Sequence, residues 1–195
     1  MVSREDLRLR SAVPADVPAL STLIRESVLG LSRDDYSPEQ LASALVHLFG
    51  VDTRLIEDGT YYVVESGGRA IACGGWSRRR TLFGGDQYAG RSDDRLDPAA
   101  EPARIRAFFV HPDWARRGVG RLLLAHCEQA ARSSGFQRFE LAATLTGIPF
   151  YEREGFGLIE RTNLELPDGV RFPLARMTLD LEHAPGGKTG EGTSG

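Results

Sequence analysis

From Val17 onward the apolar residues Val17, Leu20, Leu23, Ile24 and Val28 recur at steps of three and four, so "VPALSTLIRESVLGL" predicts a helix with one buried side. The alternating "LRLRSAV" before it predicts a strand over residues 7–13, and Pro14 and Asp16 open the helix. A second helix is expected in "SPEQLASALVHLF", where Ser37 stands at the N-cap, Pro38 at the first position and Gln40 at the third, a capping-box arrangement. Only the short polar "SRDDY" separates the two. "TYYVVESGGRAIACGGWS" then reads as a hairpin, with strands over residues 60–65 and 69–76 around the turn Ser66-Gly67-Gly68.

Residues 78–103 are polar, contain glycine and have no period. A loop of that length inside a compact domain is more often functional or mobile than idle. "RIRAFFVHP" follows as a strand stopped by Pro112, and a helix runs from the glycine turn after it to Gly135. "FQRFELAAT" is a further strand, "IPFYEREGF" a short helix ending at Gly155, and "GLIERTNLEL" and "RFPLARMTLDL" fit two last strands. This order predicts an α/β fold with one mixed sheet, partly parallel and partly antiparallel, flanked by helices. A single domain over residues 1–182 is expected, with a disordered tail at 183–195, "HAPGGKTGEGTSG".

Composition adds bounds rather than a function. The 195 residues are 41% hydrophobic and 26% charged, enough for one sizeable core. A net charge of −3 argues against wholesale nucleic-acid binding. "MVSREDLRLR" lacks the apolar centre of an export signal, and no apolar run approaches a membrane span, so a cytoplasmic protein is expected. Cys73 and Cys127 sit among apolar neighbours and read as buried, reduced thiols; no set of metal ligands is visible, and His111 before Pro112 has no second histidine near it.

Candidate chemistry concentrates in "HPDWARRGVGRLLLAHC", residues 111–127. Gly118 and Gly120 leave the backbone bare at the start of a helix, whose unpaired N–H groups and dipole favour an anion. Arg116, Arg117 and Arg121 add positive charge there, and Val119, Leu122, Leu123, Cys127 and Ala130 form the expected buried stripe. Two common phosphate motifs fail. The dinucleotide fingerprint needs glycine where Leu123 stands, and "GGKTG" near the C-terminus lacks the first glycine of a triphosphate loop, which would fall on Glu182. Taken alone, "RRGVG" fits a solubilising loop as well as an anion site.

The longer run "FFVHPDWARRGVGRLLLAHCEQAARSSGF", followed by "FELAAT" and "IPFYEREGF", resembles the acyl-coenzyme A motif of the GNAT superfamily of N-acyltransferases over residues 104–157. The resemblance implies acetyl transfer from acetyl-coenzyme A to an amine, in the mixed-sheet fold already expected. It implies that the backbone of Phe108, Phe109 and Val110 runs beside the pantetheine arm, and that Arg116, Arg117, Gly118, Val119, Gly120 and Arg121 hold the pyrophosphate. It makes Tyr151 the candidate general acid for the leaving thiolate. Two departures stand out: Ala115 occupies the position of a leading Gln or Arg, and Thr144 stands where the superfamily often has asparagine.

The strand "RIRAFFV" carries no carboxylate, so Glu26, Glu65 and Asp86 are the possible bases, each more readily read as an ordinary surface or structural acid. Tyr36, Trp76, Arg78 and Asp86 lie in the segments where this fold usually builds the acceptor pocket. The implied partner is a small-molecule amine, with a peptide amine or a non-catalytic acyl-coenzyme A sensor as alternatives, no nucleic acid or membrane, and a homodimer left open by the superfamily's tendency to pair.

Overall fold

The computed structural model describes residues 7–181, so the expected tail at 183–195 lies outside the described residues. In chain order the elements are β1 (Leu7–Ser11), α1 (Val17–Leu31), α2 (Pro38–His47), α3 (Thr53–Glu57), β2 (Tyr61–Ser66), β3 (Arg69–Ser77), β4 (Ala103–Val110), α4 (Val119–Ser133), β5 (Arg138–Thr144), α5 (Ile148–Arg153), β6 (Gly157–Glu165) and β7 (Arg171–Asp180). Each predicted strand and helix is present. The capping box at α2 forms as read: Gln40 N–H donates to Ser37 Oγ at 3.1 Å, and Ser37 N–H donates to Gln40 Oε1 at 3.0 Å. The short α3 was not expected, because "TRLIE" is too brief to show a period.

The seven strands form one mixed sheet in the order β1-β2-β3-β4-β5-β7-β6, antiparallel throughout except for β4 beside β5. Alternation along β2 and β3 divides the core in two. Tyr62, Val64, Ala72 and Trp76 face α4, while Tyr61, Val63 and Cys73 face α1 and α2. Both cysteines are free and buried. Helix α4 buries Val119, Leu123, Leu124, Cys127 and Ala131. Leu122, expected in that stripe, is 41% exposed. Three consecutive leucines fit two helical phases, and the four-residue steps from Val119 to Ala131 select the phase that turns Leu122 outward.

Two features of β4 open the sheet. First, its pairing with β5 covers only Ala103↔Phe139 and Arg104↔Glu140. Glu140 is held there by Arg104 from β4 and by Arg176 from β7 at 2.6 Å, a clamp at the closed end. Second, a register slip opposite Cys73 and Gly75 places a bulge in β4, where Ala107 takes φ +53°. Gly74 makes room for it, because a Cβ at that position would lie 2.4 Å from the Phe108 ring. Beyond the clamp β5 stays with β7 as far as Thr144↔Leu174, β4 stays with β3, and the two diverge.

Residues 78–102 have neither helix nor strand, only an isolated bridge between Arg79 and Arg95, and β4 begins at Ala103. Charge pins it instead. Arg79 pairs with Asp58 at 2.7 Å, Arg54 with Asp93 at 2.9 Å, and Arg91 with both Asp52 and Asp86 at 3.0 and 2.7 Å. From β4, the buried Arg106 donates to Asp52 at 2.7 Å and to the carbonyls of Thr81 and Gly84. Removing one member of such a buried pair strands the other charge. Asp52→Ala is therefore expected to lower unfolding free energy by about 3 kcal/mol in urea titration. Asp16→Ala, which breaks the partly exposed pair with Arg10, is expected to cost less than about 1 kcal/mol.

Candidate active site

The divergence of β4 from β5 opens a cleft of about 830 Å³ that passes through the sheet. Its lining comes from the outer half of β4, the outer half of β5, the turn into α4, the start of α5, the end of α1, and two loop segments at residues 48–50 and 82–85. One mouth lies on the α4 side, where Val110, Trp114 and Phe150 pack against the first core. The other lies on the α1–α2 side, where Phe49, Phe83 and Phe109 pack against the second.

At the α4 mouth the chain makes a tight turn. Arg116 takes φ +61° and Gly118 φ +84°, so the backbone reverses and enters α4 with Gly118 as N-cap. Neither a side-chain cap nor an acidic residue in the first turn balances the helix N–H groups. Gly120 faces Phe150 and Val110; a Cβ there would sit 3.3 Å from Phe150 Cζ, so the lack of a side chain keeps this wall bare. The phase of β4 supplies one more donor. His111 N–H bonds Ile71 O at 2.8 Å, and alternation therefore turns the Val110 N–H away from β3, toward the open edge.

Most of the expected cofactor residues converge here. Phe108, Phe109, Val110, Arg116, Gly118, Gly120 and Arg121 all line the cleft. Arg121 also pairs with Glu154 at 3.4 Å. Val119 is not among the lining residues, its side chain being buried in the core. Arg117 stays outside the lining, its guanidinium lying over the Trp114 ring at 5.4 Å. Ala115 lines the cleft without a polar group, as its departure from the motif implied.

Tyr151 lies in α5 with its ring against Phe150 and Phe156, at centroid distances of 5.0 and 5.3 Å, and lines the same cleft. Burial pushes its phenol well above the ordinary tyrosine range. Thr144 ends β5 by accepting from Gly147 N–H at 3.1 Å, which fixes the turn that delivers α5.

The four acceptor candidates do not meet at one place, although Trp76 and Arg78 are in contact. Tyr36 is buried: its hydroxyl donates to Pro173 O and accepts from Leu145 N–H, each at 2.8 Å, and its ring stacks on Phe172. Trp76 lies in the core on the α4 side, edge-on to Phe136, with Arg78 over its ring at 5.4 Å. Asp86 caps α3 through Thr53 N–H and pairs with Arg91. None of the four lines the cleft.

The candidate bases are elsewhere too. Glu26 meets Arg69 and His111, and Glu65 meets Arg10. Among the described residues that line the cleft, the only carboxylate is that of Glu154. The residues sequence reasoning passed over are Phe49, Phe83 and Arg106. A lone arginine in the otherwise apolar "RIRAFFV" was the available signal for the last.

Among the described residues no group of His, Cys, Asp and Glu could hold a metal ion, and no helix is long and apolar enough to cross a membrane.

Solved structures share this architecture. A GCN5-related N-acetyltransferase from Rhodopseudomonas palustris superposes with a TM-score of 0.66 at 21% identity, covering 92% of this chain and 98% of that one. The PaiA N-acetyltransferase of Thermoplasma acidophilum, solved with coenzyme A, gives 0.60 at 14% identity, covering 89% and 98%. YncA, a putative acetyltransferase from Salmonella typhimurium solved with acetyl-CoA, gives 0.58 at 18% identity, covering 92% and 96%. No curated protein sequence matches the chain. The sequence profile of the acetyltransferase (GNAT) family does match, over residues 26–156, which takes in the end of α1, the parted strands, the glycine turn and α5. With the cleft formed by those same elements, the chain belongs to the GNAT acetyltransferase family.

Proposed function

We propose that the protein is an N-acetyltransferase that moves an acetyl group from acetyl-coenzyme A to a primary amine of a small molecule. The observation that carries the reading is the turn into α4. Arg116, Arg117 and Arg121 gather at the positive end of a helix dipole whose first turn carries no acidic residue. That arrangement is unfavourable on its own and favourable once an anion is bound. The residues present fit a pyrophosphate: bare glycine backbone, free helix N–H groups and two arginines on the cleft wall. The parted strands beyond it leave a slot for an extended arm.

Acetyl-coenzyme A supplies the acyl group already activated as a thioester. The amine nitrogen forms the new N–C bond, the C–S bond breaks, and one proton passes from nitrogen to sulfur. The Val110 N–H, turned to the open edge of β4, is placed to donate to the carbonyl oxygen of an acyl group in the slot. Tyr151 faces the leaving sulfur in this reading. An ordinary phenol would make proton donation easy, but burial raises this one and makes full transfer less favourable. Its hydroxyl therefore acts mainly as a hydrogen-bond donor that stabilises the thiolate until a proton arrives. The cleft offers the amine no carboxylate base apart from Glu154, which Arg121 engages.

Two outcomes follow. Gly118→Glu should raise the Kd for coenzyme A at least about tenfold in titration calorimetry, because it adds strain at a positive φ and a negative charge at the anion turn. Gly118→Ala, with the strain alone, should weaken binding less. Tyr151→Phe should lower kcat about tenfold or more, the worth of one hydrogen bond to a charged group. The raised pKa favours the protonated phenol, so the loss should be uniform between about pH 6 and 9 with no alkaline limb from this residue. Wild-type turnover by the phenylalanine variant across that range would remove Tyr151 from the chemistry.

A further inference from the structure

The cleft has two chemically different ends. At the α4 mouth are the exposed arginines and bare glycines of the turn. At the α1–α2 mouth the walls are Leu31, Leu48, Phe49, Phe83 and Phe109, with Arg106 as the one charged group among them. Phe49 meets Phe109 edge-on at 5.8 Å and Phe172 at 5.4 Å, so its ring is fixed from two sides. Phe83 is braced by Tyr88 at 5.2 Å. Leu31, Phe49, Phe83 and Phe109 are only partly buried, leaving apolar surface for an occupant to cover.

The wall carrying Phe83 is rigid for a stated reason. Gly85 N–H donates to Leu48 O at 2.9 Å and Asp86 N–H to Val51 O at 3.0 Å, which laces residues 85–86 to residues 48–51. A Cβ on Gly85 would lie 2.7 Å from the Gly50 carbonyl, so the two segments touch backbone to backbone. From the other side Arg106 grips the carbonyls of Thr81 and Gly84. Its charge is matched by Asp52, and Asp52 is itself bonded by Arg91. Among the described residues, the one buried carboxylate near this mouth is thus engaged by two guanidinium groups. Among the described residues that line this mouth there is no carboxylate to meet a second positive charge on an acceptor; the exposed Asp35 lies outside the lining and accepts from the Thr146 hydroxyl at 2.6 Å.

Resting on the transferase reading above, we propose that the α1–α2 end of the cleft accepts a primary amine carried on an aromatic or branched aliphatic body, and that it disfavours polycationic amines. Phe49 and Phe83 are the specificity-determining side chains. The same chamber helps the chemistry. Low polarity disfavours an ammonium ion, so a bound amine is shifted toward the neutral form that can attack, and an apolar wall supplies part of what a carboxylate base would. Arg106 is a positioning residue that holds the Phe83 wall.

The test is thiol release from saturating acetyl-coenzyme A, with 2-phenylethylamine, isopentylamine, ethanolamine, spermidine and kanamycin as acceptors. The expected kcat/KM for 2-phenylethylamine is at least about tenfold above that for spermidine or kanamycin, the order of effect from burying one ring. Phe49→Ala and Phe83→Ala should raise KM for 2-phenylethylamine about tenfold while leaving the Kd for acetyl-coenzyme A within twofold, which separates a lost pocket from a lost fold. Phe83→Asp should move the preference toward spermidine. Equal or better turnover of spermidine or kanamycin by the wild type overturns the acceptor assignment and leaves the transferase reading intact, as does an unchanged KM in both alanine variants. Tight acetyl-coenzyme A binding with no thiol released from any amine overturns the transferase reading and the acceptor assignment together.

Discussion

The structure depends on the parting of two parallel strands. β4 and β5 are paired at Ala103↔Phe139 and Arg104↔Glu140 and nowhere further out. Backbone groups left without partners inside a sheet are costly unless something polar reaches them. Here the cost is confined to one edge by the bulge at Ala107, which turns β4 aside, and by the Arg104–Glu140–Arg176 clamp, which stops the split from spreading down the sheet. The gap aligns with the N-terminus of α4, whose first N–H groups are also without partners. Unpaired donors on a strand edge and at a helix start thus face one slot.

Everything around the slot serves to hold its two ends apart in character. Helix α4 is seated by Val119, Leu123, Leu124, Cys127 and Ala131, so the glycine turn cannot drift from the sheet. On the opposite face, a segment with no regular structure becomes a wall because arginines fasten it: Arg79, Arg91 and Arg106 reach Asp58, Asp86 and Asp52. Using those carboxylates structurally also removes them from the reach of a substrate. The polar mouth therefore suits a phosphorylated carrier, and the apolar mouth an acceptor without further positive charge.

How much of this was legible in the sequence depended on whether the signal was local. The glycine turn, the capping box at Ser37 and Gln40, and the hairpin around Gly67 and Gly68 are set by a few neighbouring residues, and each formed as read. The acceptor side was different. Tyr36, Trp76, Arg78 and Asp86 belong to segments of which other residues line the cleft, but which way a loop or strand residue points is decided by long-range packing. Tyr36 turned inward to tie Leu145 to Pro173, and Trp76 joined the core against α4. Phe49 and Phe83 looked like ordinary apolar residues because nothing near them in sequence marks a cavity. Arg106 was hidden for the same reason, since its partner Asp52 lies 54 residues away.

The most direct test of this account is an amide NMR titration of the isotopically labelled full chain with coenzyme A. The largest shifts are expected on Phe108, Phe109 and Val110 and on the amides of residues 116–121, with the Arg104 and Glu140 amides at the clamp little changed. Shifts centred away from the parted strands and the glycine turn, or no shifts at millimolar ligand, would contradict it.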